Sequence, residues 1–382
     1  LTYIAASLFL LQSFGAGKFM EAAKIKRRES KKIRVGNISI GGDSPISIQS
    51  MTNIPIEDTE GTIKQITELQ KLGADIVRVA LRNEEGINSL KKIIASVKIP
   101  LVADIHFDYR LAVAAIKSGI SKVRINPGNI GQRWKVEEVI LAAQDHNIPI
   151  RIGVNGGSIN RKKYNHPSPE ALVDSAMENI KILEDFEYTN IAVSLKASDL
   201  FTTIEANKLF ASMRDYPIHI GLTEAGYGLN CTVQSSIAIG HLLLNGIGDT
   251  IRVSMTGDPR EEVIVGKKIL ESLGLRFSPI KIISCPTCGR TATDIDLLQI
   301  AKTAEQRLIE NFEDSLKKNQ KTLTVAIMGC EVNGPGEASE ADFGLAGGQR
   351  GTMLLFAKGE KKKLVSIEKA VDELIEAIAN YI

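Results

Sequence analysis

Eight short β-rich runs, each separated from the next by a stretch with helical spacing, constrain the fold of this chain more than any other feature. They cover residues 46–51, 76–81, 100–105, 122–127, 149–154, 190–196, 217–223 and 250–255. Between them apolar residues recur at helical intervals, as in Ile63, Ile66, Leu69 and Leu72 before the second run and Leu172, Ala176, Ile180 and Leu183 before the sixth. Strands that alternate with helices form a parallel sheet, because a parallel connection needs a crossover. Eight such units predict a closed (β/α)8 TIM barrel, an α/β fold. A doubly wound sheet is the rival, and it is disfavoured because no Gly-x-Gly-x-x-Gly follows the first run. Ahead of the first run, residues 33–40 alternate about Gly36-Asn37, which reads as a hairpin able to close one end of the barrel.

In such barrels the active site is built at the C-terminal ends of the strands. Polar residues recur there: Thr52 and Asn53, Asp104 and His106, Asn126 and Asn129, Asn155, Lys196 and Ser198, Glu224, and Ser254. Arg110, Arg151, Lys196 and Arg252 supply the forks and point charges that hold phosphate. Taken singly, each arginine is better explained by an ordinary ion pair. Glu224 follows the seventh run, and a carboxylate in a dry mouth can be kept protonated and give up a proton. A salt bridge to a barrel arginine is its alternative role.

Residues 271–281, with Gly274 and Pro279, mark a domain junction. This divides the chain into a barrel at 20–273 and a smaller α/β domain at 274–382. Within the latter, 294–316 reads as a helix with Ile295, Leu298, Ala301, Leu308 and Phe312 among its apolar positions. Residues 323–328 read as a buried strand leading to Cys330, and 365–382 as amphipathic. Cys285 and Cys288 form a Cys-x-x-Cys pair, and Cys330 lies in a Gly-rich loop. Three thiolates suit zinc or an iron–sulfur centre.

The fourth ligand is the informative gap, since no histidine follows His241. Glu337 in Asn-Gly-Pro-Gly-Glu, Glu331 and, by count, Cys231 are the candidates. Glu331 adjoins Cys330 and would diverge from its thiolate, whereas Gly334 and Gly336 let the chain fold back to deliver Glu337. A hard carboxylate on a soft centre is replaceable, which leaves a place for a substrate oxygen. Half of a structural zinc ribbon is the competing reading.

Lys and Arg number 47 against 45 Asp and Glu, a net charge of +2. No global field recruits nucleic acid or acidic membranes, so any anion site is local. Four cysteines are too few for a disulfide framework in 382 residues, which points to a reducing compartment, the cytoplasm. Residues 1–19 read as a non-native extension ahead of Met20, with a targeting remnant as the alternative. Their apolar run lacks a preceding basic segment and falls short of the about 20 residues a membrane span needs. No nicotinamide or flavin fingerprint is present, so electrons for any redox step come from outside.

The strings SCPTCGR and MGCEVNGPGEASEADFG, with VADIHFDYR, INPGNIG, IRIGVN, VSLKASD, LTEAG and GIGDTIRVS upstream, resemble the 4-hydroxy-3-methylbut-2-enyl diphosphate synthase family of the methylerythritol phosphate isoprenoid pathway. The likeness runs from about Met20 to the end of the chain. It implies a TIM barrel followed by an iron–sulfur domain, with a [4Fe-4S] cluster held by Cys285, Cys288, Cys330 and Glu337. It further implies that Arg110, Arg151, Asn155, Lys196, Arg252 and Ser254 bind substrate and that Glu224 serves as acid/base or hydroxyl-binding group. The implied reaction is the reductive opening of 2-C-methyl-D-erythritol 2,4-cyclodiphosphate, with flavodoxin or ferredoxin as electron donor.

A head-to-tail homodimer, one subunit's cluster over the other's barrel, is implied as well. Ile54, Pro55 and Ile56 depart from the threonine-rich loop of the family, Gln234 stands where lysine is common, and residues 227–231 differ. No large domain separates barrel and cluster regions, which matches the bacterial two-domain form. A zinc-stabilised barrel enzyme without redox chemistry and a non-enzymatic electron carrier are the competing functions. The eight-unit polar rim argues against the carrier.

Overall fold

The computed structural model describes residues 25–161, 163–292, 294–330, 341–348 and 351–381. The extension at 1–19 and the candidate ligands Glu331 and Glu337 lie outside the described residues. The chain divides into two compact units, Leu1–Arg276 and Phe277–Ile382.

In the first unit the hairpin strands β1 (Ile33–Val35) and β2 (Ile38–Ile40) precede eight more: β3 (Ser47–Met51), β4 (Ile76–Ala80), β5 (Leu101–Asp104), β6 (Lys122–Ile125), β7 (Ile150–Asn155), β8 (Ile191–Lys196), β9 (His219–Ile220) and β10 (Thr250–Ile251). Strands β3 to β10 pair in parallel around a ring, and the bridge between Val193 and Ile218 closes it. All eight predicted runs are strands of one barrel.

Local chemistry explains where the helices start. Asp58, Asn83, Asp108, Ser168, Asp199 and Asp258 each cap a helix by accepting a backbone N–H two or three residues on, a contact worth about 1 kcal/mol. Alternate strand residues such as Val77, Val79, Val123, Ile125, Ile150, Ile152 and Val193 pack outward in the main core. The residues between them therefore face the lumen.

Gly36, at φ +59°, occupies the first central position of the β1–β2 turn, where a positive φ lets the strands follow their natural twist. Ile33, Val35 and Ile40 of this hairpin pack on Ile76, Val102 and Ala192 near the starts of β4, β5 and β8. The N-terminal end of the barrel is thereby sealed, as the hairpin reading expected. Arg27 and Arg28 tie the preceding segment to Asp249 at 2.9 and 3.5 Å.

The second unit is a five-stranded sheet in the order β11 (Ile280–Ser284), β12 (Leu323–Met328), β13 (Phe343–Gly347), β14 (Thr352–Ala357), β15 (Glu360–Ser366). The first three strands are parallel and the last two join antiparallel. Helices Leu297–Lys318 and Ala370–Ala379 share a core with the sheet.

Two expectations need correction here. The longer helix starts after its Asp296 cap, and its buried stripe is Leu297, Ile300, Ala304, Leu308, Phe312 and Leu316, leaving Leu298 62% exposed. Val365 belongs to a strand, and the last helix begins only at Ala370. The cause is the tight turn at Lys358-Gly359, both at positive φ, which folds β15 back on β14 as a charged edge strand. Among the described residues no helix is long and apolar enough to cross a membrane.

Candidate active site

The lumen carries charge where barrel interiors ordinarily carry branched apolar residues. Arg78 on β4, Lys122 and Arg124 on β6, Arg151 on β7 and Lys196 on β8 occupy lumen positions, and Arg252 follows β10. Two carboxylates answer them. Asp104, ending β5, accepts from Arg124 Nη1 at 3.2 Å and lies 4.0 Å from Arg78 Nε. Glu262, on helix Pro259–Ser272, takes Arg252 through both oxygens at 3.3 and 3.1 Å, and also Ser50 Oγ and the Met255 N–H. Among the described residues no carboxylate forms an ion pair with Arg151, Lys196 or Lys122. Among the described residues the lumen thus carries more basic side chains than carboxylates to answer them.

Two glycines make room for it. A side chain at Gly153 would meet Arg124 Nε at 2.3 Å. At Gly221, φ +147°, a Cβ would come within 2.1 Å of the Arg252 carbonyl oxygen and 2.9 Å of Lys196 Nζ. Arg78, Lys122, Arg124 and His219 were not among the site residues read from sequence. Their signal is charge at every second position of an otherwise apolar strand, as in Lys122-Val123-Arg124-Ile125.

The remaining sequence candidates divide between lumen and rim. Arg151 and Lys196 are buried in the lumen and Arg252 is nearly so. Ser254 is half-buried, and its carbonyl accepts from Cys231 Sγ at 3.4 Å. Asn155 ends β7, where its Oδ1 accepts from the Gly157 N–H at 3.1 Å and shapes the loop. Arg110 stands apart: it is 70% exposed and clasps Asp108, the cap of its own helix, at 2.8 Å. His106 Nε2 lies 3.2 Å from both Asp104 Oδ2 and Arg124 Nη1, able to hydrogen-bond either one, and so adjoins the lumen network. Glu224 is exposed on the rim rather than enclosed, with φ +58°, a backbone region unfavourable for a residue with a side chain. Such an outlier is characteristic of functional sites.

Burial and mutual repulsion set the protonation of the lumen. Burial, then Arg151 and Arg78, push the Lys122 amine well below its ordinary value. Burial, then Arg151, Arg252 and Arg78, do the same to Lys196, and burial with the same cluster depresses His219. Arg78 falls to about 10, chiefly by burial. Burial raises the Asp104 carboxyl, but Arg78, His106 and Arg124 more than offset it and hold it well below the carboxylate range.

The unfolded chain binds protons on these lysines below 10.5 and on this histidine below 6.5, where the folded lumen resists them. Stability consequently rises with pH in that window. The melting temperature of the anion-free protein is expected to climb from about pH 6 to pH 9, and millimolar pyrophosphate to flatten the climb. A flat profile without anion would reject this account of the lumen.

In the second unit the three cysteines gather at one edge of the sheet. Ser284 and Ile327 are register partners on the parallel pair β11 and β12, so Cys285 emerges beside Met328 and Cys330 two residues beyond. The Gly329 N–H donates to Cys285 Sγ at 3.3 Å. Thr291 closes the loop on the Cys288 carbonyl at 2.9 Å, and Ala292 ties it to the Gly329 carbonyl at 3.2 Å. Gly347 permits the close approach of the neighbouring strand, since its Cβ would lie 2.6 Å from the Gly329 oxygen.

The backbone and side chain of Arg290 lower the Cys288 thiol, favouring the thiolate that binds metal. Among the described residues no three His, Cys, Asp or Glu side chains yet converge as a metal site. The donor set is nevertheless suited to iron–sulfur: three cysteines on one loop cluster, with an N–H directed at sulfur. Cys231 is buried in helix Gly228–Leu244 of the first unit.

Comparisons with known proteins agree with both units. Residues 30–267 match the GcpE TIM-barrel domain and 281–380 the GcpE protein C-terminal domain. The 4-hydroxy-3-methylbut-2-en-1-yl diphosphate synthase (flavodoxin) of Clostridium perfringens is 54% identical, over 93% of this chain and 99% of the relative. That of Clostridium acetobutylicum is 50% identical, over 93% and 100%. Among solved structures, dihydropteroate synthase from Stenotrophomonas maltophilia shares the barrel alone, with a TM-score of 0.50 at 14% identity, over 64% of this chain and 97% of the other. With both domain models matched and half of all residues shared along nearly its whole length, the chain belongs to the GcpE family of 4-hydroxy-3-methylbut-2-en-1-yl diphosphate synthases.

Proposed function

We propose that this chain reductively opens 2-C-methyl-D-erythritol 2,4-cyclodiphosphate to 4-hydroxy-3-methylbut-2-enyl diphosphate. Beyond family membership, one observation carries the reading: a sealed barrel whose lumen holds Arg151, Lys196 and Lys122 without ion-pair partners among the described residues. Such a lumen is built to be neutralised by a compact polyanion. Arg124, Arg151, Lys196 and Arg252 grip the diphosphate, with Ser254 and Asn155 at the rim. Arg110 joins them by exchanging Asp108 for phosphate. Glu224 holds or donates a proton at the departing hydroxyl, and its rim position gives it access to that group.

Cys285, Cys288, Cys330 and Glu337 would hold a [4Fe-4S] cluster in the domain spanning 274–382. When bound, such a cluster supplies electrons one at a time and a Lewis-acidic iron. The names of the relatives support flavodoxin as the donor, with ferredoxin as an alternative. The site has no need of nucleic acid or membrane, and the setting is the cytoplasm.

A homodimer is supported by a stripe of exposed apolar residues on helix Gly228–Leu244, namely Leu229, Val233, Ile237 and Leu244, beside exposed Ile264. Contiguous apolar surface of this kind marks an interface, and a second copy covers it. Ile237→Arg is expected to weaken association about tenfold or more, read as a shift to monomer in light scattering. An unchanged dimer would remove this face from the interface.

The function is tested by purifying the protein without oxygen, measuring iron and sulfide, and following product after adding the cyclic diphosphate and a low-potential reductant. A brown, active protein is expected. A colourless protein that carries zinc and makes no allylic diphosphate would favour the non-redox barrel enzyme.

A further inference from the structure

The lumen contains more polar machinery than the grip just described uses. Lys122 lies two residues before Arg124 on the same face of β6 and hence nearer the sealed end. Lys122 and Gln49 are each 1% exposed and His219 2%. Both amide atoms of Gln49, both ring nitrogens of His219 and Arg151 Nε are buried with no protein hydrogen-bond partner among the described residues. Buried polar atoms are nearly always paired, with protein, water or ligand. A group of them without protein partners, beneath the basic side chains of the lumen, is a floor suited to a polar ligand.

The chemistry of the proposed reaction gives this floor a task, and the inference rests on that reading. The cyclic diphosphate carries one ionised oxygen on each phosphorus, a charge of 2−. Ring opening breaks the bond from C2 to its phosphate oxygen, which keeps the negative charge. Two electrons arrive from the external one-electron donor, and the neighbouring hydroxyl leaves with one proton as water. The ligand ends at 3−, so the lumen must supply one more positive charge at the end than at the beginning.

We propose that Lys122, with His219 and Gln49, forms a lower tier of the anion site, holding the diphosphate from beneath and supplying the additional positive charge required by the ring-opened product. Lys122 is the member suited to it. It faces Arg78 on β4 and Arg151 on β7, and the groups around this floor are completed by Lys196 on β8 and His219 on β9. The nearest compensating carboxylates, Asp104 and Glu262, are engaged by Arg124 and Arg252. Burial, then Arg151 and Arg78, weaken the amine's hold on its proton. A polyanion beside it reverses the balance, and the ammonium forms as the ligand's charge grows.

The test is calorimetric titration of the holoenzyme with inorganic pyrophosphate in two buffers of different ionisation enthalpy, for wild type, Lys122→Met and Lys122→Arg. Wild type is expected to take up protons on binding. Lys122→Met should take up about one proton fewer and bind about tenfold more weakly. Lys122→Arg, permanently charged, should keep its affinity while losing the uptake; this variant carries the test if the methionine variant fails to fold. No uptake by wild type, or uptake and affinity unchanged in both variants, would overturn the lower tier. Turnover of the cyclic diphosphate is measured alongside. Uptake without turnover by wild type would sink the ring-opening reading alone, whereas turnover with unaltered variants would sink the lower tier alone.

Discussion

Cys285→Ser is expected to yield a folded, nearly colourless protein whose turnover has fallen roughly a thousandfold or more, because removing one thiolate costs the whole redox centre. The residue sits where β11 ends, beside Met328 of β12, with the Gly329 N–H donating to its sulfur. Serine preserves the size and much of the hydrogen bonding at that point, so the sheet should survive. The core of this unit depends on Leu308, Phe312, Val325, Ile327 and Leu345 rather than on the cysteine. Iron and sulfide content, visible absorption and far-ultraviolet dichroism separate these outcomes. Glu337→Ala provides the contrast, expected to keep much of the iron while losing turnover. A brown, active Cys285→Ser protein would remove the residue from the ligand set.

Arg151→Met is expected to raise the melting temperature of the anion-free protein while lowering kcat/KM roughly a hundredfold to ten-thousandfold. A hydrogen bond to a charged group contributes roughly 1.5–3 kcal/mol, and a guanidinium fork makes two, which places the loss in that range. Stability moves the other way. Arg151 is fully buried, has no ion-pair partner among the described residues and is repelled by Arg78, Arg124 and Arg252. An unbranched apolar side chain of similar length relieves that repulsion and fills the same space. The opposite signs are diagnostic. A purely structural arginine would lose stability and activity together, and that result would reject its role in binding the diphosphate.

The barrel was legible because its eight strands are short β-rich runs, each followed by a stretch of helical spacing, and six of the helices that follow start at a side-chain cap. The charged lumen was harder to read. Lys122-Val123-Arg124-Ile125 shows the alternation of a strand with one face in water, and only closure of the ring turns that charged face inward. Knowing the fold, every second residue of the eight runs could have been assigned to the lumen, and Arg78 and Arg124 would have joined Arg151 and Lys196 at once.

Arg110 draws attention in the sequence through its place in the string VADIHFDYR. The competing partner was two residues away, where Asp108 caps the helix and clasps the guanidinium. In the second unit, β12 and Cys330 follow from an apolar run leading to the thiol, whereas β11 begins at Ile280, inside the stretch read as the domain junction. Strands β13 and β15 escape the same logic. Phe343–Gly347 is diluted by glycine, and Glu360–Ser366 is an edge strand whose charges resemble a loop.

The β1–β2 hairpin has a kinetic meaning beyond packing. With Ile33, Val35 and Ile40 seated on the starts of the strands, the barrel is a blind well with its opening at the strand C-terminal rim. Substrate enters, displaced water leaves and product departs through one doorway. On the function proposed above, substrate and product share that doorway and compete for the same lumen.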